Sequence, residues 1–156
     1  MTVKETVTKQ YQAIVDRAAV SIGQQSTLPS EGWMATTRKA LGMSAAQLAR
    51  RLGVTRARVS QAEQAETLGG VTLKTMHATA GAMGCRFVYA IVPADGRIED
   101  VIAAQAHRKA HALVAKASAH MALERQSLPE SKNRAEVERI AGELVRNRPA
   151  DFWADK

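Results

Sequence analysis

The stretch GMSAAQLARRLGVTRARVSQAEQ, residues 42–64, indicates two short helices joined by a tight turn. Ser44 can cap the first helix, with Gln47 three residues later as its reciprocal capping partner. Gly53 suits the left-handed conformation that ends many helices, and Thr55 can cap the helix that follows. The connection between the two helices is therefore only a few residues long.

Side chains of different size at fixed intervals predict how these two helices pack. Ala49 lets the helices cross closely, Val54 fills the corner of the turn, and Val59 anchors the second helix. A helix, a short turn with glycine and a second helix form the arrangement of the helix-turn-helix motif. An ordinary helical hairpin is the alternative interpretation.

Apolar residues at steps of three and four predict helices through most of the remaining chain. The predicted helices cover residues 6–22, 33–41, 73–83, 97–126 and 131–148. Beyond the last helix, Phe152 and Trp153 stand in an otherwise polar tail. They either dock on the protein's own helices or anchor a partner.

Residues 85–93, CRFVYAIVP, are the one run with the composition of a strand. A single strand leaves backbone donors and acceptors unpaired on both edges. We therefore expect the segment 86–92 to pair antiparallel with the same segment of a second copy, across a two-fold axis. The protein would then be a homodimer, with Phe87, Val88, Tyr89 and Ile91 in the paired strands.

Together these elements predict an all-α fold. A lambda-repressor-like helix-turn-helix domain, with one short strand that pairs across a dimer, is followed by a long helix and a C-terminal helix. The expected organisation is an N-terminal helix and loop over residues 1–32, the helix-turn-helix domain over 33–93, and a C-terminal helical region over 94–156.

The composition is that of an ordinary globular chain, with 46% hydrophobic and 24% charged residues. Aromatic residues make up only 4%, which favours closely packed helices over a β-sandwich. Cys85 is the single cysteine, so an internal disulfide is excluded and a reducing cytoplasm fits. The N-terminal residues lack the apolar core of a signal peptide, and no apolar run approaches the ~20 residues that span a bilayer. We expect a cytoplasmic protein without membrane contact.

The net charge of +7 is concentrated in one segment. Residues 33–84 contain seven basic and two acidic residues, a net charge of +5, whereas residues 1–32 and 127–156 are each neutral overall. A concentrated basic segment attracts polyanions such as nucleic acid. A solvated basic face is the alternative.

The region around the motif resembles the Xre/Cro-type helix-turn-helix regulators, and more closely the subgroup called mobile mystery protein A. The residues that carry the resemblance are Gly32-Trp33, Arg38 to Ser44, Thr55 to Gln64, Val71 to Leu73, Ala82 to Cys85 and Phe87 to Pro93. The resemblance implies DNA binding. It also implies a partner with a Fic domain, which transfers AMP or related groups to hydroxyls, in a pairing like that of a toxin and its antitoxin.

In a helix-turn-helix, the second helix enters the major groove and its N-terminal residues meet base edges. The base-reading residues expected here are Arg56, Ala57, Arg58, Ser60 and Gln61. Arginine pairs with O6 and N7 of guanine, and Gln61 suits adenine. Ala57 either touches a thymine methyl or gives the helix room, and Arg58 either reads a base or binds a phosphate.

Phosphate contacts are expected from Arg38, Ser44 and Thr55. Arg50 and Arg51 lie further around the first helix of the motif, away from the expected contacts, and would contribute mainly to the positive electrostatic field. A dimer would present two second helices about 34 Å apart and would read a near-palindromic operator in double-stranded DNA.

The segment TLPSEG, residues 27–32, fits a loose pattern of proteins that inhibit Fic enzymes. The candidate inhibitory residues are Thr27, Glu31 and Gly32, with the glutamate in the space of the ATP γ-phosphate. In those inhibitors the pattern lies on a helix, whereas Pro29 interrupts it here. The alternative is a proline-containing loop that leads into Trp33.

No sequence pattern points to an enzyme. His107 and His111 are four residues apart but lack the glutamate of an HExxH zinc site, so we expect no metal, no cofactor and no catalytic residue. The leading hypothesis is a sequence-specific DNA-binding repressor that regulates its own operon and is the antitoxin of a Fic-domain toxin. The alternative is an interaction module that neutralises its partner without specific DNA binding.

Overall fold

The computed structural model describes residues 1–22, 28–124 and 128–154. Within these ranges it contains seven helices and no strand, so the all-α class is confirmed. The helices are α1 (Val3–Ile22), α2 (Gly32–Ala40), α3 (Ala45–Leu52), α4 (Arg56–Thr67), α5 (Leu73–Ala82), α6 (Ile98–Leu123) and α7 (Glu130–Arg146). None of these described helices is long and apolar enough to cross a membrane.

The chain divides into two compact units. Ile22–Ala90 contains α2 to α5 and is called the α2–α5 unit below. Met1–Ser21 and Ile91–Lys156 together contain α1, α6 and α7 and are called the α6–α7 unit.

Local capping signals place α3 and α4 where the sequence predicts them. Ser44 and Gln47 form the capping box, in which each backbone N–H donates to the other side chain, at 2.8 and 3.1 Å. Gly53 follows α3 with a left-handed φ of 69°. Thr55 then caps α4 by accepting the N–H of Arg58 at 3.1 Å. These predictions are confirmed.

The core of the α2–α5 unit forms where α3, α4 and α5 meet. Leu48, Ala49, Val59 and Met83 are its buried members. Ala49 is small enough to let the helices approach, and Val59 anchors α4, as predicted. Val54 is 41% exposed, so the prediction that it fills the corner of the turn is wrong.

The segment 86–92 is not a strand in the single chain. No backbone hydrogen bond joins its N–H and C=O groups to any described residue, and a strand is held by such pairing. Its aromatic side chains pack locally instead. The rings of Phe87 and Tyr89 stack at 5.6 Å, and His77 of α5 meets both rings edge-on. Pairing with a second copy stays a prediction.

The α6–α7 unit has its own alanine-rich core. Its buried members are Ile102, Ala106 and Ala110 from α6, Ala141 from α7 and Phe152 from the tail. Phe152 is fully buried, and its carbonyl accepts a hydrogen bond from Gln105 at 2.8 Å. Docking on the protein's own helices is therefore confirmed for Phe152, whereas Trp153 beside it remains 56% exposed.

Candidate nucleic-acid interface

The outer face of α4 carries all five predicted base-reading residues. Arg56, Ala57, Arg58, Ser60 and Gln61 are exposed. Val59, in the middle of this run, is only 3% exposed and faces the core. The helix is thus held from behind by one apolar anchor, which leaves its N-terminal turns open to a ligand.

Arg38 is engaged inside the unit. Its Nε and Nη2 donate to the two carboxylate oxygens of Glu63 at 2.6 and 3.1 Å, and its Nη1 donates to the carbonyl of Met43 at 3.0 Å. Both side chains are largely buried, with 12% and 15% of their surface exposed. The hydrogen bonds that Arg38 donates to Glu63 raise the pKa of Arg38. The pair links α2 to α4. Arg38, which the sequence predicts as a phosphate contact, therefore has a structural role.

Glu66 makes a second tie between the same helices. Its carboxylate accepts the N–H groups of Trp33 and Met34, at 2.6 and 2.9 Å, in the first turn of α2. Gly32 lies against it with a φ of +83°, and a Cβ there would stand 2.8 Å from the carboxylate. Carboxylates stabilise helix N-termini because unpaired N–H groups and the helix dipole favour negative charge there.

The contacts of Glu63 and Glu66 with α2 determine the electrostatics of the outer face of α4. Glu63 and Glu66 are the only acidic residues between positions 33 and 84, and both carboxylates are directed toward α2. Basic side chains such as Arg56 and Arg58 on the outer face of α4 therefore have no acidic residue of this segment beside them. The motif keeps its positive charge on the side where a polyanion would bind.

Ser44 and Thr55 are exposed at the starts of α3 and α4. Each hydroxyl oxygen accepts a backbone N–H as a cap, which leaves its own O–H free to donate. The placement is compatible with the predicted phosphate contacts. Arg50 is exposed, whereas the Nε of Arg51 donates to the carbonyl of Ala82 at the end of α5.

A groove of about 510 Å³ runs beside α4 and adds residues that the sequence analysis did not assign. Arg58 and Gln61 line it together with Thr72 and Lys74 from the start of α5. Thr72 and Lys74 are exposed. The sequence contained features that point to both residues, because Thr72 is a helix cap and Lys74 contributes to the basic segment. Their proximity to α4 was not visible, since Gln61 and Lys74 are 13 positions apart in the sequence.

The candidate Fic-inhibitory residues divide into two groups. Thr27 lies outside the described residues. Glu31 and Gly32 lie in a turn that is closed by the N–H of Gly32, which donates to the carbonyl of Pro29 at 2.9 Å. The Glu31 side chain is exposed and pairs with Lys39. The need for glycine at position 32 has a local reason in Glu66, independent of any inhibitory role.

The described part of the chain holds no group of histidine, cysteine and carboxylate side chains that could bind a metal ion. His107 faces Glu138 of α7 at 3.6 Å rather than a second histidine.

A family model described as helix-turn-helix matches residues 34–89, from α2 to the segment after α5. The searches of curated proteins and of solved structures gave no match.

Proposed function

Because residues 34–89 form an Xre-type helix-turn-helix domain, we propose that this chain is a sequence-specific DNA-binding repressor. One observation carries the proposal. The outer face of α4 is basic and open, while both acidic residues of the motif are tied inward to α2. A helix with this arrangement combines attraction to phosphates with side chains that can reach base edges.

In the proposed complex, α4 lies in the major groove. Arg56 reads a guanine through O6 and N7, and Gln61 reads an adenine. Arg58 lies at the groove beside α5, where it contacts a base or a neighbouring phosphate. Ala57 and Ser60 face the major groove of the DNA and keep the approach close.

Phosphates are held by the hydroxyls of Ser44 and Thr55 and by Lys74. Lys74 replaces Arg38 in this role, because the guanidinium of Arg38 is already bound by Glu63 and Met43. Arg38 acts instead by fixing the angle between α2 and α4.

The proposed repressor is a homodimer that pairs through residues 86–92. In the single chain, Val88, Tyr89 and Ile91 are 63%, 60% and 91% exposed. The backbone groups of this segment also lack backbone partners among the described residues. Antiparallel pairing with a second copy would cover these apolar side chains and give the backbone groups hydrogen-bond partners.

Fluorescence anisotropy of the full chain tests this function. DNA from upstream of its own gene is compared with random DNA of equal length, at near-physiological salt. A repressor should prefer the upstream DNA by about 10³-fold or more and lose affinity steeply as salt is raised. Equal, weak binding to both DNAs would contradict the proposal and favour the interaction module without specific DNA binding.

The finer proposal, an antitoxin of a Fic-domain toxin that regulates its own operon, rests on the resemblance to mobile mystery protein A. Its test has two steps: the neighbouring gene must encode a Fic-domain protein, and the two proteins are then co-expressed. The chain should co-purify with that protein and suppress its transfer of AMP. If Glu31→Gly leaves this suppression intact, residues 27–32 are not the inhibitory element. If the two proteins do not associate, the antitoxin role fails while DNA binding can still hold.

A further inference from the structure

The groove beside α4, called the α4–α5 groove below, reaches from the surface into the core of the α2–α5 unit. Its lining runs from the exposed Arg58 and Lys74 to the buried Leu48 and Val59. Helices α4 and α5 each pack mainly on α2 and α3, which leaves a space of about 510 Å³ beside α4 and the start of α5. Sites for small molecules in proteins have volumes of about 300–1,000 Å³, so the groove has the size of such a site.

Small and apolar side chains line the interior of the α4–α5 groove. Ala62 and Ala65 line it from α4, and Ala78 lines it from α5, so neither helix fills the space with a large side chain. Leu52 at the end of α3 and Val54 in the turn add further apolar surface. A ligand with an apolar body would gain free energy here, because its apolar surface leaves water.

The exposed end of the groove is positively charged. Arg58 and Lys74 line it, and neither side chain makes an ion pair or hydrogen bond with any described residue. Glu63 is the one acidic residue among the described residues that line the groove, and Arg38 binds both of its carboxylate oxygens. An anionic group at this end would therefore meet two cations and no free carboxylate. A carboxylate suits it, because hydrogen bonds between ionised groups are strong.

Thr79 supplies a polar group to the interior of the groove. It lines the groove and is only 4% exposed. Its hydroxyl makes no hydrogen bond with any described residue, although none of the described side-chain oxygens is both fully buried and unpaired. The hydroxyl therefore remains accessible from the groove and can pair with a polar atom of a ligand. Lys74 and Thr79 are five residues apart on α5, about 7.5 Å along the helix axis.

We propose that the α4–α5 groove binds a small carboxylic acid, with an apolar body and a hydroxyl or carbonyl group at its far end, as an effector of DNA binding. The carboxylate pairs with Arg58 and Lys74, and the far polar group pairs with Thr79. Arg58 and Gln61 line the same groove, so the bound acid withdraws them from DNA and releases the operator. The release rests on the proposed function, whereas binding of the acid does not.

Isothermal titration calorimetry of the full chain without DNA tests the site. The probe is a naphthoate with a hydroxyl at the ring end opposite its carboxylate, compared with the corresponding neutral amide. We expect one acid to bind per chain, and the amide to bind about tenfold more weakly or less. Lys74→Gln should weaken binding of the acid by about tenfold, and Lys116→Gln, at an exposed position on α6, should not. No saturable binding of the acid, or equal binding of acid and amide, would overturn the proposal.

Thr79→Val tests the contact in the interior, because it replaces the hydroxyl by a methyl group of similar size. The variant should bind the hydroxynaphthoate several-fold more weakly than the unmodified chain does, since the ligand hydroxyl loses its partner. Its affinity for naphthoate without the hydroxyl should not fall. If the variant kept its full affinity for the hydroxynaphthoate, Thr79 would have no part in the site.

Competition with DNA tests the effector role. Fluorescence anisotropy on upstream DNA is repeated with the hydroxynaphthoate at about ten times its Kd, where exclusive binding should lower DNA affinity by about tenfold. Acetate at the same concentration is the control for ionic strength. Ala78→Leu fills the groove, whereas Ala115→Leu adds the same side chain at an exposed position on α6. Ala78→Leu should bind DNA normally but not respond to the acid, and Ala115→Leu should respond fully.

The outcomes separate this inference from the proposed function. If the acid binds but DNA affinity does not change, the effector role is wrong. If Ala78→Leu still binds the acid as tightly as the unmodified chain does, the site is not the α4–α5 groove. If the unmodified chain shows no preference for upstream DNA, the repressor function fails, while calorimetry without DNA still decides whether the groove binds the acid.

Discussion

The two units of this protein arrange their charges in opposite ways. Ile22–Ala90 contains eight basic and three acidic residues, so it holds +5 of the net charge of +7. Its two acidic residues on α4 are used to bind α2. In the α6–α7 unit, basic side chains pair with acidic ones at the surface, as Arg139 does with Glu136 and Glu143. The comparison shows that the position of the acidic partners, more than the number of basic residues, creates a surface for a polyanion.

The largest effect is expected in the core of the α6–α7 unit. Phe152→Ala removes a fully buried ring and should lower the free energy of unfolding by about 3–5 kcal/mol, measured by urea denaturation. Trp153→Ala is the matched control, since its ring is 56% exposed. If the two variants lost the same stability, Phe152 would not be the anchor of the tail. Affinity for DNA should be unaffected by either variant while the chain stays folded.

The second-largest expected effect is the stability lost when an ion pair is broken, compared between one pair of each unit. Glu63→Ala leaves the largely buried Arg38 without its carboxylate and should cost about 2 kcal/mol in the free energy of unfolding. Glu136→Ala removes an exposed partner of Arg139 and should change stability little, because water replaces the pair. Equal losses in thermal denaturation of the two variants would contradict the structural role given to the Arg38–Glu63 pair.

A smaller difference is expected between the stability losses of alanine variants at two glycines. Gly32 and Gly42 both have a left-handed φ, but only at Gly32 would a Cβ press on a neighbour, the Glu66 carboxylate. Alanine at either position is strained by about 1–2 kcal/mol. Gly32→Ala should lose about 1 kcal/mol more than Gly42→Ala, because Glu66 would have to release the N–H groups it binds. Chemical denaturation of both variants measures the difference, and equal losses would show that Glu66 moves without cost.

The smallest expected effect concerns the pKa of Glu136 in α7. Hydrogen bonds from Arg139 hold the pKa of Glu136 below its ordinary value of 4.5. A carboxyl with a lowered folded-state pKa stabilises the fold at neutral pH, and this contribution is lost as the pH falls through that lowered value. NMR titration of the Glu136 carboxyl should therefore give a midpoint below 4.5, and Arg139→Gln should return it toward 4.5. An unchanged midpoint in that variant would exclude Arg139 as the cause.

Local signals account for most of what could be predicted from the sequence. Ser44, Gln47 and Gly53 define the ends of α3 through contacts within four residues, and the structure has the caps that the sequence predicts. The exposure of Arg56, Ala57, Arg58, Ser60 and Gln61, with Val59 directed to the core, also follows from the period of a helix. Such features need no knowledge of the rest of the chain.

Contacts between distant residues account for what could not be predicted. Arg38 resembles any other basic residue of the segment until Glu63, 25 positions away, is brought to it. The same holds for Glu66 at the start of α2 and for Lys74, which lines the same groove as Arg58. The segment 86–92 has the composition of a strand, but strand formation depends on a neighbour that a single chain does not supply.

The most direct test of the account compares Arg56→Ala with the unmodified chain on upstream and random DNA. Arg134→Ala, which removes one charge from an exposed position on α7, is the control. If α4 reads bases, Arg56→Ala should weaken binding to the upstream DNA by ~1–3 kcal/mol and relax the preference at one base position, with a smaller loss on random DNA. Arg134→Ala should affect neither DNA strongly. An equal loss on upstream and random DNA would show that Arg56 contributes charge alone, and would contradict specific readout by α4.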